Sequence, residues 1–368
     1  MKIALIGQKG IPAKSGGVDR HVESLAFFLS QKGLETISYN RKGYNDKKLK
    51  EWEGIRIISL PYINTKNLAA ITHGFLATLD AIRRKVDIIH FHGIGPCLLA
   101  WIPKLLRPKT KIVATLHSFD YGNDKWGGFA KFMLKLGEKM MTRYSDKVIV
   151  LTSLMKDYLY QRHGRDSVVI PNGAKINKAE SSEILNYFNL EKNKYIVSVS
   201  RIIRLKGIQY LINSFTKLKE EGKVDANFKL AIVGDGEYKE ELEKIAKGRN
   251  DIIFCGNQKD NNLAALYSNA YLFVQSSEME GLSISMLEAM AYGLPILASN
   301  ISANLDAGAD SVLYFESKNE KDLEDKLLKL VNNEELAKEF GNKAKYRVEK
   351  DYNWSIISDN IIDVYNKI

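Results

Sequence analysis

Several features that organise other proteins are scarce or missing in this chain of 368 residues. Its two cysteines, Cys97 and Cys255, lie far apart in the sequence, which excludes a disulfide framework and a cysteine-rich zinc site. No segment approaches the roughly 18 apolar residues that a membrane-spanning helix needs. The first residues lack the apolar stretch of a signal peptide, so we expect a cytoplasmic protein.

Two signatures of ligand binding are also missing from the sequence. No Asp-x-Asp pair occurs, the motif with which many enzymes hold Mn²⁺ or Mg²⁺ on a diphosphate. The glycines after the first strand-like run lack the G-x-G-x-x-G spacing of dinucleotide-binding folds, which excludes an NAD-dependent dehydrogenase. His90 and His92 lie on one side of a strand end, but no third ligand follows at a metal-site spacing. We expect them to line the acceptor side or to satisfy local hydrogen bonds. We therefore predict no metal ion and no cofactor.

The charge of the chain is unevenly divided. The net charge is +10, yet residues 1–175 hold 29 Lys and Arg against 14 Asp and Glu, whereas the remainder holds 25 against 30. Asymmetry of this size indicates that the first half meets an anionic partner. Nucleic acid, anionic lipid and a phosphorylated substrate all remain open from charge alone.

The pattern of short β-branched runs and longer helical segments predicts an α/β protein with two domains. The predicted strands include Lys2–Ile6, Val86–His90, Lys147–Val150 and Tyr195–Val199. Such alternation is typical of βαβ units, whose parallel sheets are covered on both faces. A polar stretch at 171–183 separates two series, so we predict domains at 1–178 and 179–353, with a terminal helix at 354–368 that returns to the first. Two such Rossmann-like halves would face one another across a cleft that binds ligand at the carboxyl ends of the strands.

Two short segments carry phosphate-binding chemistry. Gly16 and Gly17 precede the helical pattern that begins near Val18, and side-chain-free residues at a helix N-terminus let backbone N–H groups approach a phosphate. Arg201 and Lys206 bracket the turn after the first strand of the second half, where two cations can neutralise a diphosphate. A plain helix cap and loose surface cations are the structural alternatives.

The segment from Glu280 to Ser299 is the most informative. Glu280 follows a strand, and Glu288 lies eight residues further on, inside a helix that begins near Ser283. One carboxylate can hold a sugar hydroxyl and the other the hydroxyls of a ribose, with phosphates at the helix start. Two glutamates on a solvated helix face are the alternative, but the small apolar residues around Glu288 indicate burial instead.

These motifs together resemble glycosyltransferase family 4, whose members are retaining enzymes with the GT-B fold. The segment 280–291 is similar to the E-x7-E segment of that family, and the likeness covers nearly the whole chain. The segments GIPAKSGG and LHSFDYGNDKWGG resemble a subgroup that includes rhamnosyltransferases of surface-polysaccharide assembly. The resemblance implies transfer of a hexose-type sugar from a nucleotide-diphosphate donor to a glycan or a lipid-linked acceptor.

The resemblance also implies roles for individual residues. Three residues would lie at the transferring sugar: His117, Glu280 and Asp120. The donor diphosphate would contact Gly16, Gly17, Arg201, Lys206, Leu282 and Ser283. The nucleoside would contact Glu288, Gly256 and Asn257, and the acceptor side would hold His92, Lys125 and Trp126. Ser283 and Leu282 depart from the family's usual glycine and aromatic residue, which leaves the donor sugar open.

A basic amphipathic segment at 129–143 has two interpretations. Phe129, Phe132 and three further apolar residues recur at helical spacing, while Lys131, Lys135, Lys139 and Arg143 recur every four residues. The segment is either a membrane-surface element or a covering helix whose apolar stripe packs on the sheet. An anionic membrane at the inner face of the cell would present a lipid-linked acceptor. A sugar-nucleotide epimerase and a basic nucleic-acid-binding protein remain the alternative functions.

Overall fold

The computed structural model describes residues 1–14, 16–45, 49–65, 68–118, 127–174 and 181–368. The chain divides into two compact units. Unit 1 comprises Met1–Asn172 and Trp354–Ile368, and unit 2 comprises Gly173–Asn353. The boundary predicted after residue 178 lies outside the described residues. Among the residues described, no helix is long and apolar enough to cross a membrane.

Unit 1 contains one mostly parallel sheet flanked by helices. Its strands are β1 Lys2–Ile6, β2 Glu35–Arg41, β3 Glu51–Trp52, β4 Ile55–Leu60, β5 Ile88–His92, β6 Lys111–Leu116, β7 Lys147–Val150 and β8 Val168–Val169. Its helices are α1 Gly17–Gln31, α2 Ala69–Arg83, α3 Trp101–Leu106, α4 Gly128–Tyr144 and α5 Ser153–His163, with α14 Trp354–Asn366. The strand order is β3-β4-β2-β1-β5-β6-β7-β8, and only the β3–β4 pair is antiparallel.

Unit 2 repeats the architecture with a wholly parallel sheet in the order β11-β10-β9-β12-β13-β14. Its strands are β9 Tyr195–Val199, β10 Lys229–Val233, β11 Ile252–Gly256, β12 Leu272–Gln275, β13 Ile296–Ser299 and β14 Leu313–Phe315. Its helices are α6 Glu183–Tyr187, α7 Ile208–Glu220, α8 Lys239–Ile245, α9 Asp260–Ser268, α10 Ile284–Ala291, α11 Ser302–Gly308, α12 Glu320–Val331 and α13 Glu334–Asp351.

The near-continuous apolar runs of the sequence become central strands. β1 and β9 are covered on both faces, as parallel strands in α/β proteins are, and their predicted bounds match the observed ones. The strand predicted at 86–90 is displaced and spans Ile88–His92, because the Val86 N–H still donates to the Ala81 carbonyl at the end of α2 and the register with β1 begins at Ile88. This displacement puts His92 at the last position of a strand.

Helix α14 is part of the core of unit 1. Trp354, Ile357, Ile361 and Tyr365 are buried and pack with residues of α1, β1 and β5. Burying each such side chain contributes roughly 1.5–3 kcal/mol to stability. The last helix therefore completes a hydrophobic core that begins with the first strand.

Candidate active site

The strand order of unit 2 brings the predicted donor residues to one edge of its sheet. The order reverses between β9 and β12, which connect in opposite directions to β10 and β13. In open α/β sheets, ligands bind at the carboxyl ends of the strands at such a reversal. Arg201 and Lys206 follow β9, and Glu280 follows β12. The topology thus places these three residues at the expected position.

Lys206 and Glu280 form a direct ion pair. The Lys206 ammonium lies 2.5 Å from Glu280 Oε1, and the side chains are 18% and 9% exposed. The same oxygen accepts hydrogen bonds from Gln275 Nε2 at 2.7 Å and Ser277 Oγ at 2.8 Å. Three donors on one carboxylate oxygen fix the orientation of the carboxyl group.

The backbone holds the two loops of this pair against each other. Gly207 has φ +64°, and a Cβ there would lie 2.0 Å from the carbonyl oxygen of Ser276. Ser276 Oγ donates to the Lys206 carbonyl at 3.1 Å, and the Glu278 N–H donates to the Leu205 carbonyl at 2.8 Å. Only glycine permits this approach, so Gly207 positions Lys206 beside Glu280.

Arg201 is exposed on a loop that the next loop of the sheet supports. A Cβ at Gly234 would lie 1.9 Å from the carbonyl oxygen of Ser200. A Cβ at Gly236 would lie 2.2 Å from the carbonyl oxygen of Ile202. The Ile202 N–H donates to the Asp235 carbonyl at 2.9 Å. These two glycines therefore fix the backbone that carries the Arg201 guanidinium, a role that their sequence spacing does not reveal.

Leu282 and Ser283 lie at the start of α10. Both are buried, and Ser283 Oγ caps the helix by accepting the Met286 N–H at 3.3 Å. Ser283 Oγ also donates to Gln275 Oε1 at 3.3 Å, which connects the helix start to the Glu280 cluster. The positive end of the α10 dipole is thus directed toward the carboxyl end of β12.

The predicted nucleoside residues lie on two further elements of unit 2. Glu288, on α10, accepts a hydrogen bond from Tyr267 at 3.2 Å, and the Tyr267 ring stacks on Tyr292 at 5.3 Å between centroids. Gly256 ends β11 with φ +63°, and Asn257 beyond it is exposed. The sequence-based interpretation named Glu288 but missed the tyrosines that hold it.

In unit 1 the predicted glycines mark the start of α1. The helix begins at Gly17, and Gly16 precedes it with φ +95°. Asp19, in the first turn, accepts the Lys9 N–H at 2.8 Å and is buried. This contact anchors the glycine-rich loop to the helix, and both Gly16 and Gly17 are exposed.

Four histidines converge beside this helix. The rings of His21, His92 and His117 lie 4.7–5.5 Å apart between centroids, and the ring of His90 lies 4.1 Å from that of His92. His90 bonds to Tyr365 and Thr115, both at 2.7 Å, which confirms local hydrogen bonding for this residue. Trp354 lies against His21 at 5.3 Å. The sequence analysis missed His21, which the turn pattern of α1 directs toward the strand ends.

Burial keeps these imidazoles neutral. It lowers the pKa of His21 to about 4 and that of His90 to about 3, and it holds the pKa of His92 and of His117 well below the ordinary value. Neighbouring histidines lower the values of His90, His92 and His117 further, since like charges repel. The cluster therefore offers hydrogen-bonding groups without charge.

The hydrogen bonds of the cluster indicate where its protons lie. His92 Nδ1 is 3.2 Å from His117 Nε2, so one of these nitrogens carries the shared proton. His92 Nε2 has no hydrogen-bond partner in the part of the chain that the structure describes. A proton on His92 Nδ1 is preferred, because the alternative leaves a buried N–H group without an acceptor. His117 then carries its own proton on Nδ1.

The cluster also has the composition of a metal site. One ring nitrogen from each of His21, His92 and His117 lies within 4.8 Å of the others, and this is the one such group among the described residues. Neutral imidazoles suit Zn²⁺. His21 Nδ1 bonds to Asn172 at 2.8 Å, whereas His21 Nε2 has no hydrogen-bond partner among the described residues, so α1 supplies the third histidine that sequence spacing did not reveal. The absence of a metal stays a prediction.

Three predicted residues, Asp120, Lys125 and Trp126, lie outside the described residues.

Comparison with known proteins supplies the class of the enzyme. Residues 15–178 match the protein-family model described as "Glycosyltransferase Family 4". Residues 182–347 match the model described as "Glycosyl transferases group 1". The chain belongs to glycosyltransferase family 4.

Individual relatives of this glycosyltransferase are distant but similar over most of their length. An uncharacterized glycosyltransferase of Methanocaldococcus jannaschii is 26% identical over 96% of this chain and 95% of the relative. The alpha-monoglucosyldiacylglycerol synthase of Streptococcus pneumoniae is 27% identical over 81% of this chain and 71% of the relative. HepE of Anabaena, solved with UDP-glucose, is 18% identical with a TM-score of 0.81 over 100% of both chains. The two parallel-sheet units form a GT-B fold, as predicted, while rhamnosyltransferase specificity stays a prediction.

Proposed function

We propose that this glycosyltransferase moves a hexose-type sugar from a nucleotide-diphosphate donor to a hydroxyl group of a glycan or lipid-linked acceptor. The observation that carries the proposal is the Lys206–Glu280 pair at adjacent strand ends of unit 2. The UDP-glucose in the HepE crystal supports a nucleotide-sugar donor, and the lipid named in the pneumococcal relative supports a surface glycoconjugate as the product. We place the reaction in the cytoplasm, at the inner face of the membrane.

In this proposal the donor diphosphate binds beside Arg201, Lys206 and the start of α10. The exposed guanidinium can bind two phosphate oxygens, and the ammonium is already oriented by Glu280. The N–H groups at the start of α10 and at Gly16–Gly17 add positive potential. This arrangement meets the negative charge that develops on the leaving nucleotide without a metal ion.

The sugar is oriented by Glu280, whose Oε1 is already held by Lys206, Gln275 and Ser277. The acceptor oxygen forms a bond to the anomeric carbon on the face from which the phosphate departs, so the configuration is retained. The bond between that carbon and the phosphate oxygen breaks, and the departing phosphate takes the proton of the acceptor hydroxyl. No strong protein base is needed for this step.

His117 lies at the transferring sugar in the proposal and donates a hydrogen bond from Nδ1. Its proton is positioned by His92, whose Nδ1 lies 3.2 Å from His117 Nε2. Glu288 holds the ribose, and Gly256 and Asn257 lie beside the base. Asp120, Lys125 and Trp126 remain predictions for the sugar and acceptor side.

Nucleotide release from a panel of donors tests the proposal. The full chain is incubated with uridine, guanosine, thymidine and adenosine diphosphate sugars, with water as surrogate acceptor, and the anomeric configuration of the product is read by NMR. We expect one base class to give release, an unchanged configuration and no effect of EDTA. Inverted product would contradict retention, and loss of release with EDTA would contradict a metal-independent step.

The same assay separates transfer from epimerisation. An epimerase alters the sugar nucleotide without releasing nucleotide, whereas the proposed enzyme releases one nucleotide for each sugar transferred or hydrolysed. Conversion of a donor to its epimer without release would overturn the proposal.

A further inference from the structure

Helix α4 has an outward face that the fold of unit 1 leaves uncovered. We define the outer face of α4 as Phe129, Phe132, Lys135, Lys139 and Arg143. At 100° per residue these positions fall on one side of the helix. Phe129 is 75% exposed and Phe132 61% exposed, and the three cations are exposed as well. The interpretation that this apolar stripe packs on the sheet is therefore wrong for its first two residues.

A close backbone approach determines which side of α4 faces inward. A Cβ at Gly137 would lie 2.5 Å from the carbonyl oxygen of Ile94, so the helix packs tightly at this point. Met141, one turn further on, is buried on the same side. The helix is thus anchored by its glycine side, and the two phenylalanines necessarily point away.

The cations of the outer face have no acidic partner among the residues that the structure describes. The sole carboxylate of α4, Glu138, is buried and bonds to His163 at 2.6 Å and Tyr158 at 3.2 Å. Within the described ranges, Lys135 and Lys139 form no ion pair. A row of cations beside two exposed aromatic rings fits a partner that offers both negative charge and an apolar layer.

The neighbouring helix adds to this character. α3 packs against α4, and its Trp101, Leu105 and Leu106 are exposed. Lys109, in the loop that follows α3, is also exposed. Two adjacent helices of unit 1 therefore present apolar side chains together with cations, in the half of the chain that carries the excess positive charge.

We propose that the outer face of α4 binds an anionic lipid membrane, with Phe129 and Phe132 entering the headgroup–acyl boundary and the cations contacting lipid headgroups. Double-stranded nucleic acid or an acidic glycan would satisfy the cations but would leave both phenyl rings in water. A bilayer satisfies both, because aromatic and basic side chains are the residues that interfacial helices use. The inference rests on the proposed function only in that the membrane supplies a lipid-linked acceptor.

Vesicle flotation tests this surface without reference to catalysis. The full chain is mixed with vesicles of phosphatidylcholine, either pure or with about one-third phosphatidylglycerol, at low salt and near about 0.15 M NaCl. We expect binding to the anionic vesicles alone. Each basic residue near such a surface strengthens binding by about fivefold, so K135E/K139E should weaken it at least tenfold. F129S/F132S should weaken it by a similar factor at the higher salt.

Matched variants on α13 of unit 2 provide the controls. Lys338→Glu with Lys345→Glu makes the same charge change on exposed helical positions, and Tyr346→Ser removes an exposed aromatic ring. We expect both control variants to bind as the original chain does. Circular dichroism and melting curves confirm that every variant is folded.

Three results would overturn the inference. One is no flotation with anionic vesicles even at low salt, and another is an equal loss in the α13 controls. The third is binding to heparin or DNA that matches vesicle binding and is unaffected by F129S/F132S. Failure of the proposed function is distinguishable, since nucleotide release is measured without vesicles.

Discussion

In unit 2 the candidate residues are charged, partly exposed and paired, whereas in unit 1 they are uncharged, buried and stacked. Lys206 and Glu280 form an ion pair at the edge of one sheet, while His21, His92 and His117 contact one another at the edge of the other. Both sets lie at carboxyl ends of parallel strands. The same topology therefore supports two opposite electrostatic solutions, one suited to a diphosphate and one to neutral hydrogen bonding.

The largest expected effect comes from removing a charge from the Lys206–Glu280 pair of unit 2. Lys206→Ala should lower nucleotide release by about 100-fold to 1000-fold, because it removes a preorganised cation from the leaving group. Lys338→Ala, an exposed lysine of the same unit, serves as the control and should leave release unchanged. Initial rates at saturating donor give the comparison, and near-normal turnover of Lys206→Ala would contradict the assignment.

A double-mutant cycle sharpens this result. Lys206 and Glu280 are in direct contact, so the combined effect of Lys206→Ala and Glu280→Gln should be smaller than the product of the single effects. Effects that simply multiply would show that the two side chains act independently on the donor.

A smaller effect, on the free energy of unfolding, concerns the neutral histidines of unit 1. The folded pKa of His21 is about 4 and the unfolded value about 6.5, so the unfolded chain binds more protons in this range. Stability should be complete above about pH 6.5 and fall as the pH drops toward 4. Each buried histidine adds about 1 kcal/mol of loss per pH unit. Urea unfolding between pH 7 and 5 measures this slope.

The substitution His90→Gln supplies the comparison for the pH slope. It removes one titrating ring from the cluster, so the stability of the variant should decline less steeply over the same range. A flat profile in the original chain would show that the histidines are not held neutral.

The smallest expected effect removes one hydrogen bond from the cluster. Tyr365→Phe leaves His90 Nδ1 without its partner at 2.7 Å and should cost about 1–2 kcal/mol in the free energy of unfolding. Tyr346→Phe, at an exposed site, should cost nothing measurable. Equal losses in both variants would rule out a specific contribution from this bond.

Much of the fold was predictable because hydrophobic runs and turn residues act locally. The strands β1, β7 and β9 begin and end where the sequence indicates. The pairing of Lys206 with Glu280 was less accessible, since the segment motifs place both residues after strands but only the order β9-β12 makes them neighbours.

The histidine cluster and the orientation of α4 were beyond sequence patterns for different reasons. His21, His92 and His117 come from α1, β5 and the end of β6, so their convergence depends on sheet order and on how α1 packs. On α4, periodicity predicts a helix correctly but leaves open whether the phenylalanines face the sheet or point outward. The deciding residue is Gly137, whose lack of a side chain allows contact with Ile94. Hydrophobic periodicity scores side chains, so it does not detect a close backbone contact that depends on glycine having none.

The course of the chain through the two units has a consequence for its synthesis. The ribosome makes α14 only after the whole of Gly173–Asn353, although Trp354 and Tyr365 complete a core that β1 begins. At translation rates of about 5–20 residues per second, the first unit waits roughly 10 to 40 seconds for its final helix. During that interval the apolar side chains of unit 1 that α14 later covers remain exposed on the nascent polypeptide.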